Sequence, residues 1–121
     1  DDVLTSASNA NLHITQIDIA ILGMGEDGHT ASIFPCCNEL NTALDPQLTP
    51  EKYIITNPKT ANYARIGLSL NGILEIPQLY ISLNGAKKLE IIQTAAESKT
   101  KTYPISYVIN ERNDAEIFCN A

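Results

Sequence analysis

A histidine, two acids and three glycines follow one another directly after an apolar run. The segment 17–35 reads IDIAILGMGEDGHTASIFP. Histidine takes up and releases a proton near neutral pH, so His29 can serve as a general acid or base. Asp27 could orient that imidazole or a sugar hydroxyl, or could instead cap a short helix that we expect to begin near His29. The neighbouring glycines let the backbone turn sharply and approach a ligand closely.

The glycine spacing of residues 23–28 is GxGxxG, which is also the spacing of a dinucleotide fingerprint. A dinucleotide site further needs a full helix that opens at the last glycine and an acid about 20 residues on, at the end of the next strand. Pro35 would end any helix within about two turns, and the next predicted strand ends in Thr56 and Asn57. The pattern therefore favours another anionic substrate over a nucleotide.

The order of residues around His29 resembles the signature of the 6-phosphogluconolactonases. Residues 22–35, LGMGEDGHTASIFP, match it with Ile33 in place of leucine. Looser similarity follows in ANYARIGLSLNGI, LYISLNGAKKLEII, YPISYVI and AEIFCNA. The resemblance covers about residues 17–121 and only the C-terminal half of the family. Family members carry an N-terminal glycine-rich segment that helps to bind the substrate phosphate, and no equivalent GGxxP stretch is present here. We therefore expect residues 1–121 to form a single lactonase-like domain that lacks the N-terminal phosphate-loop half.

The resemblance implies hydrolysis of 6-phosphogluconolactone to 6-phosphogluconate in the oxidative pentose phosphate pathway. His29 would be the general base that activates water, and Asp27 its catalytic partner. The implied substrate-binding residues are Gly25, Gly28, Arg65 and Lys88. An arginine can hold phosphate oxygens with two parallel hydrogen bonds, and Lys88 matches the lysine of the family's GxxK turn. No cofactor is expected, and no metal, since two distant histidines and an adjacent cysteine pair do not form a zinc site.

Two alternatives stay open. Glucosamine-6-phosphate deaminases share a GxGxDGH loop, but theirs continues with a pattern like IAFNEP where this chain has TASIFP. The other alternative is a catalytically incomplete half-domain that needs a partner chain, either a second copy in a homo-oligomer or the missing N-terminal half.

Composition limits the partners of the chain. Its 121 residues are 44% hydrophobic with a net charge of −6, which indicates one globular domain and argues against nucleic acid as a partner. The longest apolar run is interrupted by Asp18 and is far shorter than the ~20 residues of a membrane span. No secretory signal pattern is visible and the three cysteines are an odd number, so a cytoplasmic location with reduced thiols is predicted.

The elements that must position the site alternate between strand and helix. We predict an α/β fold with a mostly parallel sheet flanked by helices, of the Rossmann-like sugar-phosphate isomerase and deaminase type. Strands are predicted over 16–22, 51–57, 64–74, 77–85, 105–110 and 115–120, and a helix over 86–98. One predicted helix is too little to cover both faces of a parallel sheet, so part of the helical layer is expected to be missing. Cys36 and Cys37 are expected to be small apolar fillers, and His13 and Arg112 to be solvated.

Overall fold

The computed structural model describes residues 2–14, 16–59 and 63–120. In chain order the elements are α1 (Asp2–His13), β1 (Ile19–Leu22), α2 (Leu40–Ala43), β2 (Tyr53–Thr56), β3 (Arg65–Leu68), α3 (Leu70–Leu74), β4 (Gln78–Asn84), α4 (Ala86–Ala95), α5 (Ile105–Glu111) and β5 (Glu116–Asn120). Within those residues no helix is long and apolar enough to cross a membrane.

The main sheet has three parallel strands in the order β1-β4-β5. Parallel neighbours need long crossover connections. Residues 23–77 form the first of these and contain the glycine loop, while α4 and α5 form the second. The predicted α/β fold with a mostly parallel sheet is confirmed. So are the strands predicted over 16–22, 77–85 and 115–120, although β1 is shorter than expected.

The hydrophobic core lies on one face of this sheet. Along β4, Leu79, Ile81 and Leu83 are buried while the alternate residues are more exposed, as the period of a strand requires. On the other face, side chains that a parallel sheet normally buries are open to solvent: Ile19 is 54%, Ile21 71% and Phe118 58% exposed. One face of the sheet therefore lacks the cover that parallel sheets have.

A second sheet, two-stranded and antiparallel, pairs β2 with β3. Helix α1, which the sequence did not predict, packs beside it. The side chain of Asn11 exchanges two hydrogen bonds of 2.9 Å with the backbone of Tyr53. This hairpin matters for the site because Arg65 is the first residue of β3, opposite Thr56.

The strand predicted over 64–74 is wrong in its second half. Strand β3 ends at Leu68, and Ser69 then begins helix α3 by accepting a hydrogen bond of 3.1 Å from the backbone of Gly72. Serine is among the best helix N-caps because its hydroxyl satisfies an otherwise unpaired backbone N–H group. The alternation of leucines and isoleucines did not reveal this switch.

The strand predicted over 105–110 is also wrong, since these residues lie in helix α5. Ile105, Val108 and Ile109 are buried, and their spacing of three and four residues places them on one helical face. Asn110 donates a hydrogen bond of 2.9 Å to the carbonyl of Ala95 at the end of α4. Burial against the neighbouring helices thus outweighs the strand preference of the β-branched residues.

Arg112 is not solvated, contrary to expectation. Its side chain is only 15% exposed. The guanidinium donates to the carbonyls of Leu74 at 3.1 Å, Ile76 at 2.5 Å and Pro77 at 3.1 Å, and it pairs with Asp114 at 2.8 Å. The hydrogen bonds to Arg112 hold the pKa of the Asp114 carboxyl below its usual value. Arg112 therefore ties the end of α5 to the segment between α3 and β4.

The cysteines and the second histidine behave mostly as expected. Cys37 is 5% exposed and packs as a small apolar side chain, and burial raises the pKa of its thiol. Cys36 is half-buried, and Cys119 is a half-buried free thiol on β5. His13 is exposed at the end of α1.

Candidate active site

The glycine loop folds into a tight turn after β1. The backbone N–H of Gly28 donates to the carbonyl of Gly25 at 2.9 Å, and the N–H of Gly25 donates to the carbonyl of His29 at 3.0 Å. Gly28 has a φ of +80°, and a Cβ there would lie 2.7 Å from the ring of Tyr103. Glycine is thus required at position 28 by both conformation and space.

His29 and Asp27 form a direct pair. Oδ1 of Asp27 lies 2.5 Å from Nδ1 of His29 and also accepts from the backbone N–H of His29 at 3.1 Å. A carboxylate can only accept, so this contact assigns the proton of a neutral imidazole to Nδ1. The two side chains are 34% and 41% exposed, so the imidazole remains reachable.

No helix begins at His29, which corrects the expectation of a short one. The following residues form a turn with an isolated bridge between Thr30 and Ile33. Asp27 consequently caps no helix there. Of the two roles considered for Asp27, orienting the imidazole is the one for which the structure shows a contact, the hydrogen bond with His29.

Gly25 provides the space for this pair. A Cβ at position 25 would overlap Cε1 and Nδ1 of the His29 ring and lie 2.8 Å from Oδ1 of Asp27. Any other residue would push the imidazole away from the carboxylate. Gly25 was predicted to bind substrate, and the structure shows in addition that the absence of a side chain there leaves room for the side chains of His29 and Asp27.

His29 lies at an open cavity of about 480 Å³. The lining residues come from the loop after β1, from β3, from the end of β4 and from α4: Gly23, Met24, Gly25, His29, Thr30, Ala31, Ser32, Phe34, Arg65, Ser82, Leu83, Asn84 and Lys88. The structure therefore brings together four of the six predicted site residues, namely Gly25, His29, Arg65 and Lys88. Asp27 and Gly28 do not line the cavity: Asp27 contacts the imidazole of His29, and Gly28 lies in the turn before it.

The sheet explains why distant parts of the sequence meet at this cavity. Strands β1 and β4 are parallel neighbours, so their carboxyl ends meet at one edge, which is where α/β folds usually bind ligands. The glycine loop leaves β1 at that edge. Asn84 ends β4 there, and Lys88 follows half-buried in the first turn of α4.

The turn after His29 is held on both sides. Thr30 donates through Oγ1 to the carbonyl of Gly23 at 2.8 Å, and Thr56 donates to the carbonyl of Ser32 at 2.8 Å. Ala31 and Ser32 have φ values of +50° and +69°, which are costly for residues other than glycine. Strain of this kind persists where the surroundings over-determine it, often at functional sites.

Sequence reasoning missed several residues of this cavity. Phe34, Ser82 and Asn84 line it, and Gly67 supports the turn from below. The alternation of β4 could have indicated that Ser82 and Asn84 share a face, but not that the face ends at the cavity. Among the described residues there is no group of three or more histidines, cysteines, aspartates or glutamates that could hold a metal ion.

The chain matches known proteins over nearly all of its length. The family model described as glucosamine-6-phosphate isomerases/6-phosphogluconolactonase matches residues 2–118. A 6-phosphogluconolactonase of Neisseria meningitidis is 35% identical over 100 residues, which are 83% of this chain and 43% of that protein. One of Helicobacter pylori is 34% identical over 111 residues, 90% of this chain and 47% of that protein.

A solved structure agrees with these relatives. The crystal structure of a 6-phosphogluconolactonase from Shewanella baltica superposes with a TM-score of 0.84 at 37% identity, covering 98% of this chain and 51% of that one. The chain thus spans about half the length of the relatives that it matches. With the family model, the relatives and the fold in agreement, this chain belongs to the glucosamine-6-phosphate isomerase/6-phosphogluconolactonase family.

Proposed function

We propose that this chain forms the catalytic part of a 6-phosphogluconolactonase, which hydrolyses 6-phosphogluconolactone to 6-phosphogluconate in the oxidative pentose phosphate pathway. The observation that supports this most is the 2.5 Å contact of His29 with Asp27 beside a cavity that Arg65 and Lys88 also line. The lactonase names of the relatives point to the same substrate.

The reaction needs one proton to move twice. Nε2 of His29 takes a proton from water as the oxygen attacks the lactone carbonyl carbon, and a tetrahedral intermediate forms. The bond from that carbon to the ring oxygen then breaks, and the imidazolium returns the proton to the departing oxygen. Asp27 stabilises the imidazolium in between, because its carboxylate lies on the other ring nitrogen.

The substrate phosphate needs local positive charge, because the chain as a whole has a net charge of −6. Arg65 and Lys88 are the two cations that line the cavity. We assign the phosphate to them, with Arg65 suited to paired hydrogen bonds and Lys88 acting as a point charge. Gly25 contributes a backbone position at the cavity wall, and Gly28 holds the turn that presents it.

Deamination of glucosamine 6-phosphate fits the loop less well. Where the deaminase pattern IAFNEP has its glutamate, this chain has Phe34, so a carboxylate is replaced by a hydrocarbon ring. In the described part of the chain, the carboxylate that contacts the imidazole is that of Asp27. We also infer a cytoplasmic enzyme, in keeping with the free thiols of Cys37 and Cys119.

Full activity would require the other half of a lactonase domain. The relatives are about twice as long, and the side chains of Ile19, Ile21 and Phe118 are exposed on a face that parallel sheets normally bury. We assign this face to the part of the lactonase domain that the match does not cover. If a second copy of the chain covered this face instead, sedimentation analysis would show a dimer.

The test uses the protein at its natural length. It measures the rate of lactone opening, followed as release of acid, and subtracts the spontaneous rate. We expect His29→Asn to lower kcat by on the order of 10²-fold to 10⁴-fold. The matched control is His13→Asn, the other histidine, which should leave the rate unchanged. Equal rates for both variants would remove His29 from the mechanism. A wild-type protein without lactonase activity, or one that releases ammonia from glucosamine 6-phosphate, would overturn the function itself.

The 121-residue chain alone is assayed in parallel. Background rates from it, together with turnover by the protein at native length, would support the need for the other half. Full turnover by the 121-residue chain would contradict that need and leave the lactonase assignment intact.

A further inference from the structure

Phe34 is a buried aromatic residue that contacts two functional side chains. It is 7% exposed and lies five residues after His29. Its ring stacks on the imidazole of His29, with centroids 4.1 Å apart and planes inclined by 20°. The guanidinium carbon of Arg65 lies 5.5 Å from the centroid of the same ring. One hydrocarbon ring thus touches both the proposed base and the proposed phosphate ligand.

The local backbone makes the stacking a consequence of the turn. Ala31 and Ser32 both have positive φ, as in a type I′ turn, and the N–H of Ile33 donates to the carbonyl of Thr30 at 2.8 Å. The chain therefore reverses over two residues. His29 and Phe34, which flank the bridge between Thr30 and Ile33, become neighbours across it.

We propose that Phe34 is a positioning residue, which fixes the imidazole of His29 relative to the guanidinium of Arg65. Asp27 holds one edge of the imidazole through Nδ1, but a single hydrogen bond leaves the ring free to tilt about it. The flat contact with Phe34 removes this freedom. Because the same ring also contacts the guanidinium of Arg65, one rigid side chain sets the distance between the proposed base and the proposed phosphate ligand.

The ring also suits the charges that arise during the reaction. An aromatic face attracts a cation, and both the imidazolium of His29 and the guanidinium of Arg65 are cations. A leucine of similar volume would fill the space but would offer no such face. Phe34 therefore does more than fill the core, and that difference can be measured.

The kinetic part of this inference rests on the proposed function. An NMR measurement tests the stacking independently of that function. The Cε1 proton of His29, identified by its absence from His29→Asn, should resonate upfield because it lies near the face of the Phe34 ring. We expect Phe34→Leu to move this NMR signal downfield and Phe34→Tyr to leave it in place. An unchanged signal in Phe34→Leu would overturn the stacking whether or not the protein is a lactonase.

The kinetic part separates the two contacts. We expect Phe34→Leu to lower kcat/KM on the order of 10-fold, with both a lower kcat and a higher KM, and Phe34→Tyr to restore most of the loss. In a double-mutant cycle, Arg65→Met should raise KM less in the Phe34→Leu background than in the wild type. Additive effects in this cycle, or a Phe34→Leu variant with wild-type kcat and KM, would overturn the positioning role.

A control distinguishes positioning from general packing. Ile33 lies in the same turn and is 1% exposed. Ile33→Val should lower thermal stability without moving the His29 signal or changing kcat. If it reproduces the Phe34→Leu kinetics at equal loss of stability, Phe34 acts through packing alone and the proposal fails. Should Phe34→Leu not fold, Phe34→Met replaces it in the same measurements.

Discussion

The carbonyl oxygen of Ala31 occupies the space where a side chain on Gly67 would begin. Gly67 is in the middle of β3, two residues after Arg65, and the turn that follows His29 rests on it. The strand that presents the arginine is therefore also the support of the loop that presents the histidine. We therefore expect the position of His29 relative to Arg65 to depend on this close approach of the two backbones.

Replacing Gly67 by alanine should disturb the site from below. The new Cβ would meet a backbone carbonyl, which cannot rotate away as a side chain can, so the turn must shift. We expect Gly67→Ala to lower the free energy of unfolding by about 1–3 kcal/mol and to reduce kcat. Gly23→Ala is the matched control for stability, because nothing lies within 4 Å of a Cβ there. Equal urea midpoints for the two variants would mean that the contact does not constrain the turn.

The carboxylate of Asp27 is expected to support proton transfer by His29. Asp27→Asn keeps an oxygen that can accept from the imidazole but loses the negative charge that stabilises the imidazolium. We expect kcat to fall on the order of 10²-fold to 10⁴-fold, with little change in thermal stability. Glu26→Gln removes a neighbouring charge in the same loop and serves as the control. A loss of the same size in both variants would indicate a general effect of charge instead.

Much of the site was predictable because it depends on residue order. The resemblance to the 6-phosphogluconolactonase signature pointed to His29, Asp27 and the two glycines, and the looser similarity further along the chain pointed to Arg65 and Lys88. The parallel order β1-β4-β5 then brings the carboxyl ends of two of these strands to the same edge. The residues themselves came from the family resemblance, and the general geometry of α/β folds explains why they meet at one edge of the sheet.

The remaining features depend on contacts between distant segments. Helix α5 forms in a β-branched sequence because its buried face packs on other helices, which no window of the sequence contains. Arg112 lies in a polar turn, and only the fold reveals carbonyls within reach of it. Phe34 is a further example. Its apolar side chain suggests core packing, but in the fold it contacts the ionisable side chains of His29 and Arg65.

Arg112 is predicted to be important for stability and not for catalysis. Its guanidinium is the partner of three backbone carbonyls, those of Leu74, Ile76 and Pro77. Hydrogen bonds that involve a charged group contribute about 1.5–3 kcal/mol, so Arg112→Met should cost at least that much, measured by urea unfolding. Asp114→Asn is the control for the ion pair alone and should cost far less, because the Asp114 side chain is 62% exposed. Similar losses in both variants would mean that the ion pair, and not the carbonyls, is the stabilising contact.

Glu39 should make stability depend on pH in the acidic range. Its carboxylate accepts from the backbone N–H of Asn57 at 2.8 Å and from the side-chain amide of Asn57 at 3.0 Å. Partial burial acts to raise the pKa of Glu39, but these hydrogen bonds favour the charged form more strongly, and the pKa is lowered from its ordinary value of 4.5. A carboxyl whose pKa is lowered by folding stabilises the protein above the unfolded-state value, and this contribution is lost as the pH falls through the folded-state value.

Glu39→Gln therefore should destabilise the protein near neutral pH by about 1 kcal/mol, and the difference from the wild type should shrink as the pH falls below 4.5. Urea unfolding at several pH values measures both free energies. Glu97→Gln, an exposed acid beyond α4, is the control and should change neither stability nor its pH dependence. If the Glu39→Gln difference were constant from neutral pH down to about pH 3, the ionised carboxylate would not be the group that Asn57 stabilises, and the contact would act through shape alone.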